Sequence, residues 1–179
     1  MSRVCKCYLK KYLLLVLALA LAAGILIAPD TTEAGVSKEK KDYGVFLSID
    51  SSQMKKLYPY RLVVIDAQFF SAEDIRTLHK KGVKVYTYLN VGSLEDFRDY
   101  YKEYEHLTIG AYENWDEEKW IDVSDKDWQS FIGKLSKKLK KKGVDGFFID
   151  NCDVYDYAAT KESFEGLVRI LRNIRSLGA

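Results

Sequence analysis

Histidine and cysteine are scarce in this sequence, which argues against several classes of catalytic site. Cys5 and Cys7 lie in a basic N-terminal segment, so Cys152 has no partner for an intramolecular disulfide in the rest of the chain. The two histidines, His79 and His106, do not follow predicted strands, and His79 ends a lysine-flanked helix. Zinc sites and Ser–His or Cys–His triads are therefore disfavoured.

The sequence also lacks an excess of charge of either sign. It has 28 lysine and arginine residues against 26 aspartates and glutamates. Residues 1–34 hold four of the basic residues and two of the acidic ones, so residues 35–179 carry 24 of each. This balance does not favour a nucleic-acid partner, and only the local arrangement of charge can point to a function.

The N-terminus has the features of an export signal. Four basic residues precede an unbroken apolar run over residues 13–28, which Pro29 closes, and Thr32 and Ala34 then supply small side chains near a cleavage site. We therefore predict that residues 1–34 are a signal peptide, or an anchor that stays uncleaved in the membrane. The protein is predicted to be secreted or extracellular, with no other contact with a membrane.

The remainder of the chain predicts one α/β domain. Residues 35–42 are polar and lysine-rich, as in a linker, and residues 43–179 are predicted to be the domain. Five apolar runs, several of them nearly continuous, are typical of parallel strands that are covered on both faces. These runs are residues 45–49, 62–65, 83–89, 120–123 and 147–149.

Helical patterns lie between the predicted strands. Their apolar residues recur at helical spacing, and the alternation of strand and helix predicts right-handed βαβ units around a parallel sheet. The lysines within residues 134–142 are interpreted as the solvated face and basic end of one helix. The predicted helix starts are Ser71, Ser93 with Asp96, Ser124 with Asp127, and about Thr160.

Three glycines mark a repeated turn. Gly82 and Gly143 each follow lysines at a helix end and lead directly into a strand, and Gly178 begins the same turn. We expect these glycines to be left-handed C-caps, with a sixth strand due after the last of them. A complete (β/α)8 barrel typically needs about 250 residues. The predicted fold is therefore a partial (β/α)8 TIM-type barrel with about five parallel βα units.

Acidic side chains follow most of the predicted strands. Because the carboxyl ends of parallel strands meet at one edge, these side chains are expected to share a rim, where sites form in such folds. A carboxylate after a strand also often caps a turn, and this remains the alternative for each residue. The polar residues at the strand ends are Asp50, Asp66, Glu95, Asp122, Asp150, Asn151 and Asp153.

Aromatic residues cluster on or just beyond the last three strands. Flat rings suit the C–H faces of sugars, whose hydroxyls bond to carboxylates and amides, although some of these rings could be core residues. The residues are Tyr86, Tyr88, Tyr112, Trp115, Trp120, Tyr155 and Tyr157.

Three segments of the domain carry a family resemblance. Residues 88–98 (YLNVGSLEDFR), 120–123 (WIDV) and 143–153 (GVDGFFIDNCD) resemble segments of glycoside hydrolase family 114, the endo-α-1,4-polygalactosaminidases. The similarity extends from about Tyr43 to the C-terminus. It implies a TIM-type barrel that hydrolyses an α-linked galactosaminoglycan, without a cofactor or a metal ion.

The resemblance also implies roles for individual residues. Asp150 is the expected catalytic carboxylate, and Glu95 or Asp122 would have to act as the second one that glycoside hydrolysis needs. The remaining residues are expected to bind the substrate. They are Asp66, Tyr88, Asn90, Arg98, Trp120, Asn151, Asp153 and Tyr155.

Other functions remain open at this point. The aromatic and acidic rim could hold a polysaccharide without cutting it. Five parallel strands also fit a flavodoxin-like phosphoacceptor domain with Asp50 and Asp66 in its pocket, but export argues against that chemistry. A metal ion between Asp150 and Asp153 is a further alternative. The sequence does not predict an oligomeric state.

Overall fold

The computed structural model of the protein describes residues 39–113 and 115–178. The predicted export segment, residues 1–34, lies outside this part of the chain, as does the alternative anchor at residues 13–28. No helix among the described residues is long and apolar enough to cross a bilayer.

The described residues form seven strands and five α-helices, joined by turns and short 3₁₀ helices. The strands are β1 (Lys41–Phe46), β2 (Tyr60–Ile65), β3 (Lys84–Asn90), β4 (Ser93–Glu95), β5 (Thr108–Ala111), β6 (Glu118–Ile121) and β7 (Gly146–Asp150). The helices are α1 (Ala72–Lys80), α2 (Tyr101–Tyr104), α3 (Lys126–Lys141), α4 (Val154–Ala158) and α5 (Lys161–Arg175).

Four of the strands form the parallel sheet that the apolar runs predicted. Their order is β1-β2-β3-β7, and every neighbouring pair runs parallel. The first strand lies earlier than predicted: it begins at Lys41, within the segment interpreted as a linker, and ends at Phe46. A turn follows, and Asp50 then accepts a hydrogen bond from the amide of Ser52 at 2.8 Å and caps a 3₁₀ helix.

The strand predicted at residues 120–123 is not a member of the parallel sheet, and this prediction was wrong. The segment is β6, which pairs antiparallel with β4 on one side and with β5 on the other. The pairing opposes Trp120 to Ser93 and Glu118 to Glu95. A short apolar run does not reveal its partner or its direction, so sequence periodicity could not distinguish these two arrangements.

The predicted helix starts differ in their outcome. Ser71 forms a complete capping box with Asp74, and Thr160 caps α5, as predicted. Helix α3 begins one residue later than predicted, with Asp125 as its cap. No helix starts at Ser93, because this residue belongs to β4 and its side chain is hydrogen-bonded elsewhere in the site.

The repeated glycine turn was predicted correctly. Gly82 and Gly143 have φ values of 68° and 101°, which is the left-handed region that ends a helix. Each turn reverses the chain from a helix into the start of a parallel strand. Because β2, β3 and β7 pair in parallel, their carboxyl ends lie at one edge of the sheet.

One face of the sheet is buried under the helices. Val63, Val85 and Leu89 are at most 1% exposed and pack in one core with helix residues such as Ile75 and Ile132. Along β3 the alternate residues point to the opposite face, as strand geometry requires. That face carries Tyr88 and Asn90 toward the edge where the acidic residues collect.

Candidate active site

A cavity of about 490 Å³ lies at the carboxyl ends of the parallel strands. The antiparallel sheet and the turn after β4 form its other walls. Its size is within the range of about 300–1,000 Å³ that holds small ligands. The lining consists of Leu47, Ser48, Asp66, Phe69, Tyr88, Glu95, Phe97, Arg98, Tyr112, Trp115, Glu117, Glu118, Asp150 and Asn151.

Arg98 joins two carboxylates at one wall of the cavity. Its Nη1 donates to Oδ2 of Asp66 at 2.5 Å, and its Nε donates to Oε2 of Glu95 at 2.5 Å. All three residues are at most 7% exposed. Asp66 directly follows β2, Glu95 ends β4, and the turn after β4 places Arg98 three residues further on. The group therefore connects the parallel sheet to the antiparallel one.

Burial changes the pKa values in this group. Burial raises the pKa of Glu95, and the hydrogen bond and charge of Arg98 only partly offset that rise. Burial acts to lower the pKa of Arg98, but the hydrogen bond that it donates to Glu95 and the negative charge of Asp66 outweigh burial, so the pKa is raised. The pKa of Tyr88 is raised first by burial and then by the negative charges of Glu95, Asp150 and Glu118.

Glu118 is a site residue that the sequence analysis missed. Its Oε2 accepts hydrogen bonds from Ser93 Oγ at 2.5 Å, from Asn151 Nδ2 at 3.0 Å and from Asn90 Nδ2 at 3.3 Å. The network ties β3, β4, β6 and the turn after β7 together. Glu118 and Trp120 are two residues apart, so their side chains share one face of β6. That spacing could have pointed to Glu118 only if the antiparallel pairing of β6 had been known.

Asp150 ends β7 and opens into the cavity. The backbone amide of Asn151 donates to its Oδ1 at 3.0 Å, and Asn151 itself has φ of 58°. The turn lies against Gly92, where an added Cβ would come within 1.8 Å of the carbonyl oxygen of Asn151. Only glycine fits at this position, so the close approach fixes the turn that presents Asp150.

Aromatic rings form the mouth of the cavity. Tyr112 packs on Trp120 with ring centroids 4.1 Å apart, and Trp115 is 53% exposed. On the other side the guanidinium of Arg98 lies 4.9 Å from the ring centroid of Phe97 and 5.9 Å from that of Phe69. The cavity thus has acidic walls and an aromatic rim.

The structure brings together six of the predicted site residues and places the others elsewhere. Asp66, Tyr88, Glu95, Arg98, Asp150 and Asn151 line the cavity. Asn90 and Trp120 lie behind the lining and support Glu118 and Tyr112.

Besides Asn90 and Trp120, three further predicted site residues do not line the cavity. Asp122 accepts hydrogen bonds from the amide and hydroxyl of Ser124 at 2.9 and 2.6 Å, so its carboxylate forms a turn. Asp153 is exposed and precedes α4. Tyr155 is exposed and packs against Phe164. The described residues contain no group of three or more His, Cys, Asp or Glu that could hold a metal ion.

Lys142 fixes the loop that carries Asp66. Its Nζ donates to the carbonyl oxygens of Ala67 and Phe70 at 2.7 Å each and to that of Gln68 at 3.4 Å. Among the lysines of residues 134–142, Lys142 alone bonds to this loop. The prediction that these lysines form a solvated helix face and basic end is therefore wrong for Lys142. Burial lowers its pKa, with a smaller effect from Lys138, and the three carbonyls offset that unfavourable burial.

Replacing Lys142 with methionine is expected to loosen this loop. The variant loses three charge-assisted hydrogen bonds, and we expect the free energy of unfolding to fall by about 1–3 kcal/mol. Chemical denaturation measures this change, and amide hydrogen exchange at residues 67–70 should become faster. Lys141→Met removes a neighbouring exposed lysine and is the matched control. Equal stability of the two variants would contradict the role given to Lys142.

Comparisons with known families and structures show what this chain is similar to. The model of glycoside-hydrolase family GH114 matches residues 28–178. An uncharacterised protein of Thermotoga maritima is 23% identical over 95 residues, which are 50% of this chain and 29% of that protein.

Two solved structures share the fold. A variant of the glycoside hydrolase domain of PelA from Pseudomonas aeruginosa superposes with a TM-score of 0.63 at 16% identity, over 77% of this chain and 55% of that one. Ega3 from Aspergillus fumigatus, solved in complex with galactosamine, gives 0.61 at 19% identity, over 78% and 57%. This chain therefore spans about half the length of the solved domains that it matches. The predicted α/β class with a parallel sheet of the TIM-barrel type is confirmed.

Proposed function

This chain belongs to glycoside-hydrolase family GH114, and from that premise we propose that it acts on an α-1,4-linked galactosaminoglycan or a related polysaccharide through carboxylate chemistry. The family resemblance of residues 88–98, 120–123 and 143–153 is confirmed by the match. The observation that carries the proposal is the collection of five carboxylates in one aromatic-rimmed cavity.

The charge of the cavity favours an amino sugar. Five carboxylates line it against one guanidinium, that of Arg98. A free galactosamine unit carries an ammonium group at neutral pH, and a cleft of opposite charge attracts it. The exposed rings of Trp115 and Phe97 can pack against the C–H face of a sugar while its hydroxyls bond to Asn151 and the carboxylates. These features together support a cationic saccharide as the substrate.

The cavity gives its carboxylates different roles. Asp66 and Glu95 are tied to Arg98, whereas Asp150 accepts a hydrogen bond from the adjacent amide and lines the cavity without an ion-pair partner among the described residues. Asp150 is therefore assigned to attack the sugar or to activate water. Glu95 is the candidate proton donor, because it lines the cavity and burial raises its pKa, although Arg98 opposes that rise. Asp122 has no place in this scheme.

Hydrolysis of purified polygalactosamine tests the proposal. The full chain, and a version extended past Ala179, are incubated with the polymer, and new reducing ends are measured over time. We expect reducing ends to appear and to increase with protein concentration. No release by either protein would remove the enzymatic claim.

A binding function is the second candidate, and the Arg98 group favours it. Two of the carboxylates in the cavity are occupied by one guanidinium, which suits holding a ligand more than exchanging protons. Retention of the chain on immobilised polygalactosamine, unchanged in the Asp150→Asn variant and accompanied by no hydrolysis, would favour binding over catalysis.

The site of action is proposed to be outside the cell. The basic and apolar pattern of residues 1–34 supports export, either with removal of this segment or with residues 13–28 left as an anchor. Fractionation of cells that express the full chain, with N-terminal sequencing of the exported product, distinguishes these two forms.

A further inference from the structure

Basic side chains collect at the edge of the parallel sheet that lies opposite the cavity. We call it the amino edge, because it consists of the segments that lead into the parallel strands, together with the end of α5. These segments are residues 39–42, 55–60, 80–84, 140–145 and 175–178.

Two lysines join the segments of the amino edge into one surface. Lys40 Nζ donates to the carbonyl oxygens of Lys81 and Gly82, which connects the start of β1 to the turn before β3. Lys140 Nζ donates to the carbonyl oxygens of Asp145 and Gly178 at 3.4 Å each, which connects the turn before β7 to the end of α5.

The charge of the amino edge is strongly positive. Its three carboxylates each lie near a cation: Arg61 is 3.8 Å from Glu39 and 3.8 Å from Asp42, and His79 is 2.9 Å from Asp145. Lys142 binds the loop after β2 and is not counted here. The other basic residues of these segments are Lys40, Lys41, Lys55, Lys56, Lys80, Lys81, Lys84, Lys140, Lys141 and Arg175.

Pairing with helix dipoles explains only some of these cations. Lys80, Lys141 and Arg175 end helices, where a positive charge is stabilising. Lys41 and Lys84 are the first residues of strands β1 and β3, which have no such dipole, and both are exposed. The described domain therefore has a basic amino edge opposite a cavity with acidic walls, although its charges nearly balance.

The chain also enters the domain at the amino edge, because β1 begins at Lys41. Residues 29–40 separate this strand from the apolar run of residues 13–28 and can span at most about 40 Å. An apolar run that stays in a bilayer, as in the anchored form, tethers the domain by its amino edge.

We propose that the amino edge binds the anionic headgroups of a lipid bilayer and turns the cavity away from the membrane. Ammonium groups spread over several loops suit a charged surface, since such binding needs no shaped pocket. The same surface repels the acidic walls of the cavity, so the cavity faces the solution, where a polymer can reach it. The orientation is independent of whether the cavity cuts a polysaccharide or only holds it.

Acetylation of lysines by a water-soluble reagent tests this orientation. The full chain is added to vesicles of phosphatidylcholine alone, or of three parts phosphatidylcholine to one part phosphatidylglycerol. We expect Lys84 and Lys141 to be acetylated about fivefold more slowly on the anionic vesicles. This protection should disappear in about 1 M salt, where screening limits ionic contacts to about 3 Å.

Two lysines on the cavity side serve as controls within the same sample. Lys126 and Lys161 are the first residues of α3 and α5 and are exposed. Their rates should be equal on the two kinds of vesicle. Equal rates for Lys84 and Lys141 on both vesicles, or equal protection of all four lysines, overturns the inference.

A pair of variants with the same change of net charge completes the test. K55E/K81E reverses two exposed lysines of the amino edge and should reduce the protection of Lys84 and Lys141 to less than about twofold. K126E/K161E should leave that protection unchanged, because glutamate suits the first turn of a helix. Equal protection in the two variants overturns the inference.

Free glycerol phosphate distinguishes a lipid surface from its headgroup chemistry. At the phosphate concentration of the anionic vesicles it should not protect Lys84 or Lys141, because a dispersed anion does not cover several loops at once. Protection equal to that of the vesicles overturns the assignment to a bilayer.

Discussion

Replacing Arg98 with methionine is expected to lower the free energy of unfolding by about 3–5 kcal/mol at pH 7. The substitution leaves the carboxylates of Asp66 and Glu95 buried without their cation. Methionine keeps much of the apolar volume of the arginine side chain. The loss of stability is therefore due mainly to removal of the guanidinium charge. Chemical denaturation monitored by tryptophan fluorescence measures the change.

The stability loss of the Arg98 variant is also expected to depend on pH, in a direction that the pKa of Glu95 sets. Burial raises the pKa of Glu95, and removing Arg98 takes away the group that opposes that rise. A carboxyl with a raised pKa binds more protons in the folded state than in the unfolded state, so stability falls as pH rises through the folded pKa. The deficit of the Arg98 variant should therefore be largest at pH 7 and shrink toward pH 5.

An exposed arginine provides the control for that experiment. Arg76 pairs with Glu73 on α1, where both side chains are largely in solvent. Arg76→Met is expected to leave the denaturation midpoint unchanged, because exposed ion pairs contribute little. If the Arg98 and Arg76 variants had the same free energy of unfolding at pH 7, the ion pairs of Arg98 with Asp66 and Glu95 would not stabilise the fold.

Replacing Asp150 with asparagine is expected to slow hydrolysis of polygalactosamine by about 10²–10⁴-fold, the usual contribution of a catalytic carboxylate. Asparagine keeps the acceptor for the amide of Asn151, so the turn after β7 should remain intact. Initial rates of reducing-end release at saturating polymer measure the change in kcat.

The control for this variant lies on α4. Asp156→Asn removes an exposed carboxylate that does not line the cavity, and its rate should match that of the unaltered chain. Full activity of the Asp150 variant would move the catalytic role to another carboxylate, with Glu118 the next to be replaced.

Local signals in the sequence predicted the features that depend on neighbouring residues. The capping box of Ser71 and Asp74 and the left-handed Gly82 and Gly143 are formed by a few adjacent residues. The apolar runs of β2, β3 and β7 were enough to predict strands, but the expectation of two covered faces was wrong, because Tyr86 and Phe148 on the face away from the helices are 36% and 42% exposed. These features were enough to predict that Asp66 and Asp150 end strands at one edge of a parallel sheet.

The features that were missed depend on distant residues. Ser93 and Asp96 have the same spacing as Ser71 and Asp74, yet no helix begins there. The hydroxyl of Ser93 instead donates to Glu118 and accepts from Asn90, and its backbone pairs with β6. A propensity to form a helix is weak enough for such tertiary contacts to override it.

In the candidate site, too, some residues were predicted from the sequence and others were missed. The resemblance supplied Asp150, Glu95 and Arg98, which the structure brings to one cavity. It also suggested Asp122, whose carboxylate forms a turn, and it gave no weight to Glu118, which enters the cavity only through the antiparallel sheet. Because strand direction is set by long-range pairing, that sheet could not be derived from residues 118–123 alone.

A crystal structure of the chain with a bound galactosamine oligosaccharide tests the central claim most directly. The account predicts a sugar ring in the cavity between Asp150 and Tyr88, with its ammonium group facing the carboxylates and its C–H face against the aromatic rim. A sugar bound on another surface, or a cavity in which Asp66, Glu95 and Asp150 do not meet, would contradict it.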